Sequence, residues 1–307
     1  MLSAINRHPQ PAAPQPPRPG PHLIPPRPQH RSPLALWHLL SLDAPTVAAL
    51  WTLFIARISH ISLPWPEPAA MFVAVWIIYA ADRLLDARLL DARQLDTRPN
   101  ATELEPRHHF HHHHRNRFLT AIALAALILV YLLICIDPRS LHLYALLATL
   151  LAAWMLLIHA RPHSHRLPKE LAVGLFFPAA IFIPTVARDP AIRLDLLPTA
   201  ILFAFACTLN CLYLYVWEHT APTPIAHITT RWATSHLIQL ATTLLIFATL
   251  IFATRPSITN LPALACAITA AALITLNAHR HRLSPIHLRA AADLTLLTPI
   301  LLLPFAR

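Results

Sequence analysis

Asp82 and Asp86, in the run Asp82-Arg83-Leu84-Leu85-Asp86, stand where the second apolar stretch of the chain gives way to charge. Four residues apart on a helix, they project about 40° from one another and share a face. Paired carboxylates at a membrane surface suit Mg²⁺, and Mg²⁺ held there binds a diphosphate. Residues 83–97 are also three tandem copies of one pentapeptide, RLLDA-RLLDA-RQLDT. Asp91 and Asp96 therefore fit duplication on a solvated helix as well as metal binding. A second constellation is Pro168-Lys169-Glu170, which reads as a helix start, followed by Gly174. Lys169 either grips an anion or snorkels to the interface, and Gly174 either serves a site or lets two helices pack closely. In the third, Asn210 and Glu218 are eight apart, on nearly one helical face, with Tyr213 and Tyr215 nearby. Polar groups at that depth usually face a bundle interior, although Tyr215 and Trp217 also suit the interfacial aromatic belt.

The elements that must position these groups are membrane helices. Of 307 residues, 56% are hydrophobic and only 12% charged, with mean hydropathy +0.50. A soluble chain of this length needs more charged surface. Nine apolar stretches are expected to span, near 45–61, 69–81, 118–136, 141–159, 171–187, 198–216, 236–254, 258–277 and 287–305. The second is short and must continue helically into the charged segment after it. The expected fold is thus all-α, a bundle of about nine transmembrane helices around a central cavity over 34–307. Residues 1–33 carry eleven prolines and no long apolar run, and read as a disordered basic tail.

Gly20 and Gly174 are the only glycines, which excludes glycine-rich phosphate loops and dinucleotide folds. The four cysteines lie in apolar stretches without zinc spacing, so neither a zinc site nor a disulfide is expected. The net charge of +10 would suggest nucleic acid in a soluble chain. Here membrane orientation explains it, and no nucleic-acid partner is expected. With a cytoplasmic N-terminus, 18 Lys and Arg fall on the cytoplasmic side and six on the other. That bias places the N-terminus inside and the C-terminus opposite, in a cell (inner) membrane.

The layout resembles the UbiA-type intramembrane prenyltransferase superfamily, whose members carry an Asn-Asp-x-x-Asp-x-x-x-Asp motif after the second helix and a second Asp-rich motif after the sixth. A lysine-containing loop leads into a glycine on their fifth helix. Leu167-Pro-Lys-Glu-Leu-Ala-Val-Gly174 matches that loop. Asp82-Arg-Leu-Leu-Asp86 matches the first motif with Asp82 in the asparagine place, Arg83 in that of the first aspartate, and Asp91 one residue late. Asn210-x-x-x-Leu214-x-x-x-Glu218 falls where the second motif belongs and keeps one acidic residue. The likeness covers roughly 34–307 in layout and is specific in these three patches.

The resemblance implies a Mg²⁺-dependent enzyme that ionises an isoprenoid diphosphate and passes the prenyl group to an aromatic or other lipophilic acceptor within the bilayer. It assigns catalysis to Asp82, Asp86 and Glu218, and metal binding to those three with Asp91. Substrate binding falls to Lys169, Asn210, Arg83, Arg161 and Tyr213. The alternative is a non-catalytic membrane protein or carrier that keeps the fold without the chemistry. The histidine tract His108–His114 reads as a basic interfacial cap, dispensable for folding. Asp293 is a further intramembrane acid, with Arg289 at i−4 as its expected partner.

Overall fold

The computed structural model of the protein describes residues 32–96, 110, 111, 113–159, 169–219, 227–254 and 260–306, with the backbone alone for 86–96, 155, 157–159 and 169. Ser32 opens the first helix, α1 (Pro33–Leu39), by accepting a hydrogen bond from the Ala35 N–H at 3.1 Å. Pro33 at its first turn has no N–H to leave unpaired. Ser41, at φ 59°, then turns the chain so that α2 (Asp43–Ile58) runs at 91° to α1.

The remaining helices are α3 (Pro66–Asp96), α4 (Arg115–Ile134), α5 (Pro138–His159), α6 (Lys169–Arg188), α7 (Arg193–Glu218), α8 (Ile228–Ser235), α9 (Leu237–Thr254), α10 (Leu261–Ala278), α11 (Pro285–Thr295) and α12 (Pro299–Leu302). Every element among the described residues is helical. Among the described residues, seven segments are long and apolar enough to cross a bilayer, or up to eight if the bent α1–α2 pair is one span, against the nine stretches expected. The second apolar stretch does continue helically into charge, since α3 runs unbroken from Pro66 through the pentapeptide repeats to Asp96.

The outer surface is apolar. On α4, Leu127, Tyr131 and Ile134 are exposed, Ile134 to 80%. Water would penalise such a face, whereas lipid solvates it, so the chain is a multi-span membrane protein. Inside, Trp51 of α2 stacks on Phe203 of α7 at 3.8 Å and donates its indole N–H to Leu296 O at 2.8 Å. At one end of the bundle, buried Glu67 of α3 pairs with Arg188 of α6 at 2.6 Å.

Gly174 serves packing. A Cβ there would collide with Thr208 Oγ1 and come within 3.0 Å of Ala204 O, so α6 and α7 meet closer than any larger residue allows. The histidine tract departs from expectation. His111 is only 1% exposed, lies 3.4 Å from Ser41 Oγ, and packs its ring 4.6 Å from Phe118. One histidine of the tract is therefore core, while His113 is exposed as a cap would be.

Two outcomes are expected in detergent unfolding experiments. Gly174→Ala lowers stability by about 1–3 kcal/mol through overpacking, and Thr208→Ala in the same chain recovers part of the loss. An unchanged midpoint would mean that α6 and α7 do not pack this closely. His111→Ala lowers the midpoint clearly and His113→Ala does not; equal effects would place the whole tract outside the fold.

Candidate functional site

The right-angle corner between α1 and α2 leaves carbonyls at the end of α1 that no helix continues to satisfy. Side chains from elsewhere take them up. Arg83 of α3 donates to His38 O, and Trp76 of α3 donates to Leu40 O at 3.0 Å. The same arginine donates to Asp43 Oδ2 at 2.9 Å, and Asp43 Oδ1 accepts the Ala44 N–H at 3.0 Å. The corner also turns His38 toward Asp43: Nδ1 lies 2.6 Å from Oδ2, a close contact whose direction falls short of hydrogen-bond geometry.

A second carboxylate reaches this cluster from α11. Asp293 Oδ2 lies 3.5 Å from His38 Nδ1, and its Oδ1 accepts from Asn210 Nδ2 of α7 at 3.1 Å. Five helices, α1, α2, α3, α7 and α11, thus meet in one polar network. It borders a cavity of about 160 Å³ whose polar lining includes His38, Asp43, Tyr79, Asp82, Asn210 and Asp293. Val173, Phe177 and Leu214 form part of its apolar wall. Beside it, Arg289 of α11 pairs with Glu218 at the end of α7.

Charge accounting gives the cluster its character. Arg289 and Glu218 neutralise one another. Among His38, Asp43, Arg83 and Asp293, the carboxylates outnumber the one permanent cation, and Asp82 adds a third carboxylate at the same cavity. His38, Asp43 and Asp293 offer three ligand atoms within 4.8 Å of one another, which a metal ion could reach by distance. Arg83 already occupies Asp43 Oδ2.

The residues expected from the sequence divide into three groups. Asp82 and Asn210, from the two motif segments, line the same cavity, as does Val173 of the helix that Lys169 opens. Arg83 also borders the cavity, but its guanidinium is committed to Asp43 and to the α1 corner. Tyr213 is fully buried, its ring tilted against that of Trp217 at 5.5 Å, and it is not among the residues that line the cavity. Glu218 is exposed and paired with Arg289. The side chains of Asp86, Asp91 and Lys169, and all of Arg161, lie outside the described residues.

One expected pairing is corrected. Asp293 binds Asn210 and approaches His38, while Arg289 goes to Glu218. Helical spacing allowed the i−4 pair, but partners on α1 and α7 come within reach once the bundle closes. His38 and Asp43 were absent from the expected site. Their signal was an acid directly before the first apolar stretch with a histidine five residues earlier, a pattern equally consistent with an interfacial flank.

The donor set can be tested for Mg²⁺ on this geometry. Asp82 is exposed at the cavity wall, and Asp86 follows one turn later on the same unbroken helix. Asp82 thus offers one oxygen donor of the kind a hard cation takes, and the side chain of Asp86 lies outside the described residues. No family model, curated protein or solved structure matches the chain, so its own residues carry what can be concluded about its function.

Proposed function

We propose that this protein is a membrane enzyme of the UbiA-like type, acting on an isoprenoid diphosphate with Mg²⁺ and transferring the prenyl group to an aromatic or other lipophilic acceptor. The observation that carries this reading is the sharing of one cavity by Asp82 and Asn210, residues of two distant motif segments. Asp82 and Asp86 hold the metal, which supplies positive charge to the leaving diphosphate. Lys169, at the start of α6, grips the diphosphate. Val173, Phe177 and Leu214 give the prenyl chain an apolar wall. In this reading α5 and the bent α1–α2 pair complete nine crossings, with the N-terminus cytoplasmic and the C-terminus opposite in the inner membrane, as the distribution of Lys and Arg supports.

One observation favours the second reading, a protein that keeps the fold without the chemistry. Arg83 and Arg289, the cations bordering the cavity, are already paired with Asp43 and Glu218. The cavity of about 160 Å³ is also smaller than the roughly 300 Å³ at which small-molecule pockets begin. Catalysis therefore requires the cavity to open towards lipid along the prenyl chain.

Pyrophosphate release from geranyl, farnesyl and longer diphosphates in nanodiscs, with Mg²⁺ and then with chelator, separates the two readings. Asp82→Asn and Asp86→Asn are each expected to reduce release by about two orders of magnitude. Lys169→Ala mainly raises KM, and Glu218→Gln has the smallest effect. Folded protein with no Mg²⁺-dependent binding or turnover at any chain length would establish the second reading. For topology, reporters fused at Arg98 and at Arg255 should lie on opposite sides of the membrane; the same side for both would end the nine-crossing arrangement.

A further inference from the structure

His38 is 2% exposed, and neither of its ring nitrogens has a hydrogen-bond partner among the described residues. Buried polar groups are rarely left without a partner, because the cost of desolvation is not recovered; a site for an ion is one of the few reasons to keep one. Two carboxylates face that ring. Nδ1 lies 2.6 Å from Asp43 Oδ2 and 3.5 Å from Asp293 Oδ2, and the three ligand atoms fall within 4.8 Å of one another. Each carboxylate is held from behind by its other oxygen: Asp43 Oδ1 accepts the Ala44 N–H at 3.0 Å, and Asp293 Oδ1 accepts from Asn210 Nδ2 at 3.1 Å. Both Oδ2 atoms are thereby turned to one imidazole nitrogen. Metal sites orient their carboxylates through outer partners of this kind.

The space and the charge both suit an ion. Zn²⁺ sits about 2.0–2.2 Å from nitrogen and oxygen donors, whereas a hydrogen-bonded water needs about 2.8 Å. A gap closed to water therefore still admits the ion. Donors at that radius around a tetrahedral ion stand about 3.4 Å apart. Nδ1 and Asp293 Oδ2 already do so, and Asp43 Oδ2 has to retreat by less than an ångström. It keeps its bond from Arg83 while ligating, since a carboxylate offers about four lone-pair sites. Facing the three donors are Tyr79, Asp82 and Arg83 of α3, Cys211 of α7 and Arg289 of α11. Arg289 is paired with Glu218, so Asp43, Asp82 and Asp293 have Arg83 as their one permanent counter-charge among the described lining. A divalent ion adds the positive charge that this lining lacks. No ionised Asp293 is needed beforehand, because a ligating carboxylate releases any proton it holds as the metal binds.

We infer that His38, Asp43 and Asp293 bind one divalent first-row transition-metal ion, of which Zn²⁺ is the type. The imidazole nitrogen sets the class, because Mg²⁺ and Ca²⁺ take oxygen donors whereas Zn²⁺ takes nitrogen and oxygen together. The ion joins α1, α2 and α11 through their side chains. Three protein donors leave a fourth position of a tetrahedral ion for water or for a ligand that enters the cavity. This site is separate from the Mg²⁺ carboxylates of α3 in the prenyl-transfer reading, and its test reads metal binding instead of turnover.

The test is calorimetric titration of Zn²⁺ into the full chain in nanodiscs. His108, His109, His112 and His113 are first replaced by Gln, so that the dense imidazoles of the tract do not compete. One equivalent is expected to bind tightly, and excess Mg²⁺ does not displace it. His38→Gln and Asp293→Asn each weaken it by about a hundredfold, and Asn210→Ala, which frees the outer oxygen of Asp293, by about tenfold. Should these variants not fold, Cu²⁺ in the same site is read by pulsed electron paramagnetic resonance, which counts coupled imidazoles; one is expected. The absence of a tight equivalent, its displacement by Mg²⁺, or an affinity unmoved in either His38→Gln or Asp293→Asn overturns the inference. A Cu²⁺ site with no imidazole, or with several, does the same. Zinc binding at His38 without any Mg²⁺-dependent turnover retains this site and removes the prenyl-transfer reading instead.

Discussion

In hydrocarbon, a backbone carbonyl without a hydrogen bond and a charge without a counter-charge are both costly, and a bend inside a helical bundle creates the first of these. Arg83 answers the second demand and adds a further bond to the His38 carbonyl, which also accepts the Ser41 N–H at 3.0 Å. Its guanidinium reaches the carbonyl of His38 at the end of α1 and the carboxylate of Asp43 at the start of α2. The right-angle corner is thereby fastened to α3, with the Trp76 indole on Leu40 O and His111 against Ser41 as additional ties. Removing either member of such a buried ion pair would leave the other uncompensated, at a cost of about 3–5 kcal/mol. The corner, and everything it positions, depends on this pair.

What it positions is His38. Because α1 turns back on α2, an imidazole and a carboxylate only five residues apart face one another and not the lipid. Asp293 and Asn210 then extend the network to α11 and α7. Polar residues thus join the helices around one cavity, while the opposite end of α3 is secured by a separate pair, Glu67 with Arg188. The two clusters share no residue.

The same arrangement sets the tension between the two functional readings. Arg83 and Arg289 are neutralised by protein carboxylates, so an incoming diphosphate meets cations that already have partners. Charge for the diphosphate must come from Lys169 and from metal on the α3 carboxylates.

Long-range composition and local spacing determined much of this protein before any tertiary contact was considered. Apolar stretches separated by basic loops specify membrane helices, because hydrocarbon admits a lone segment only with its backbone bonds satisfied internally. The run Asp82–Asp86 at the end of a stretch, the polar face from Asn210, and the lone Gly174 were legible for the same reason: helical periodicity fixes which residues share a face. Tertiary structure decided which faces meet. It sent Arg83 inward to Asp43, Asp293 to Asn210 and not to Arg289, and one histidine of the tract into the core. It also made a site of His38 and Asp43, which flank a turn with Ser41 at φ 59°. No periodicity carries through such a turn. The closeness of side chains across it follows from the packing of α1, α2, α3 and α11 together, a free energy that exists only when all four are in place.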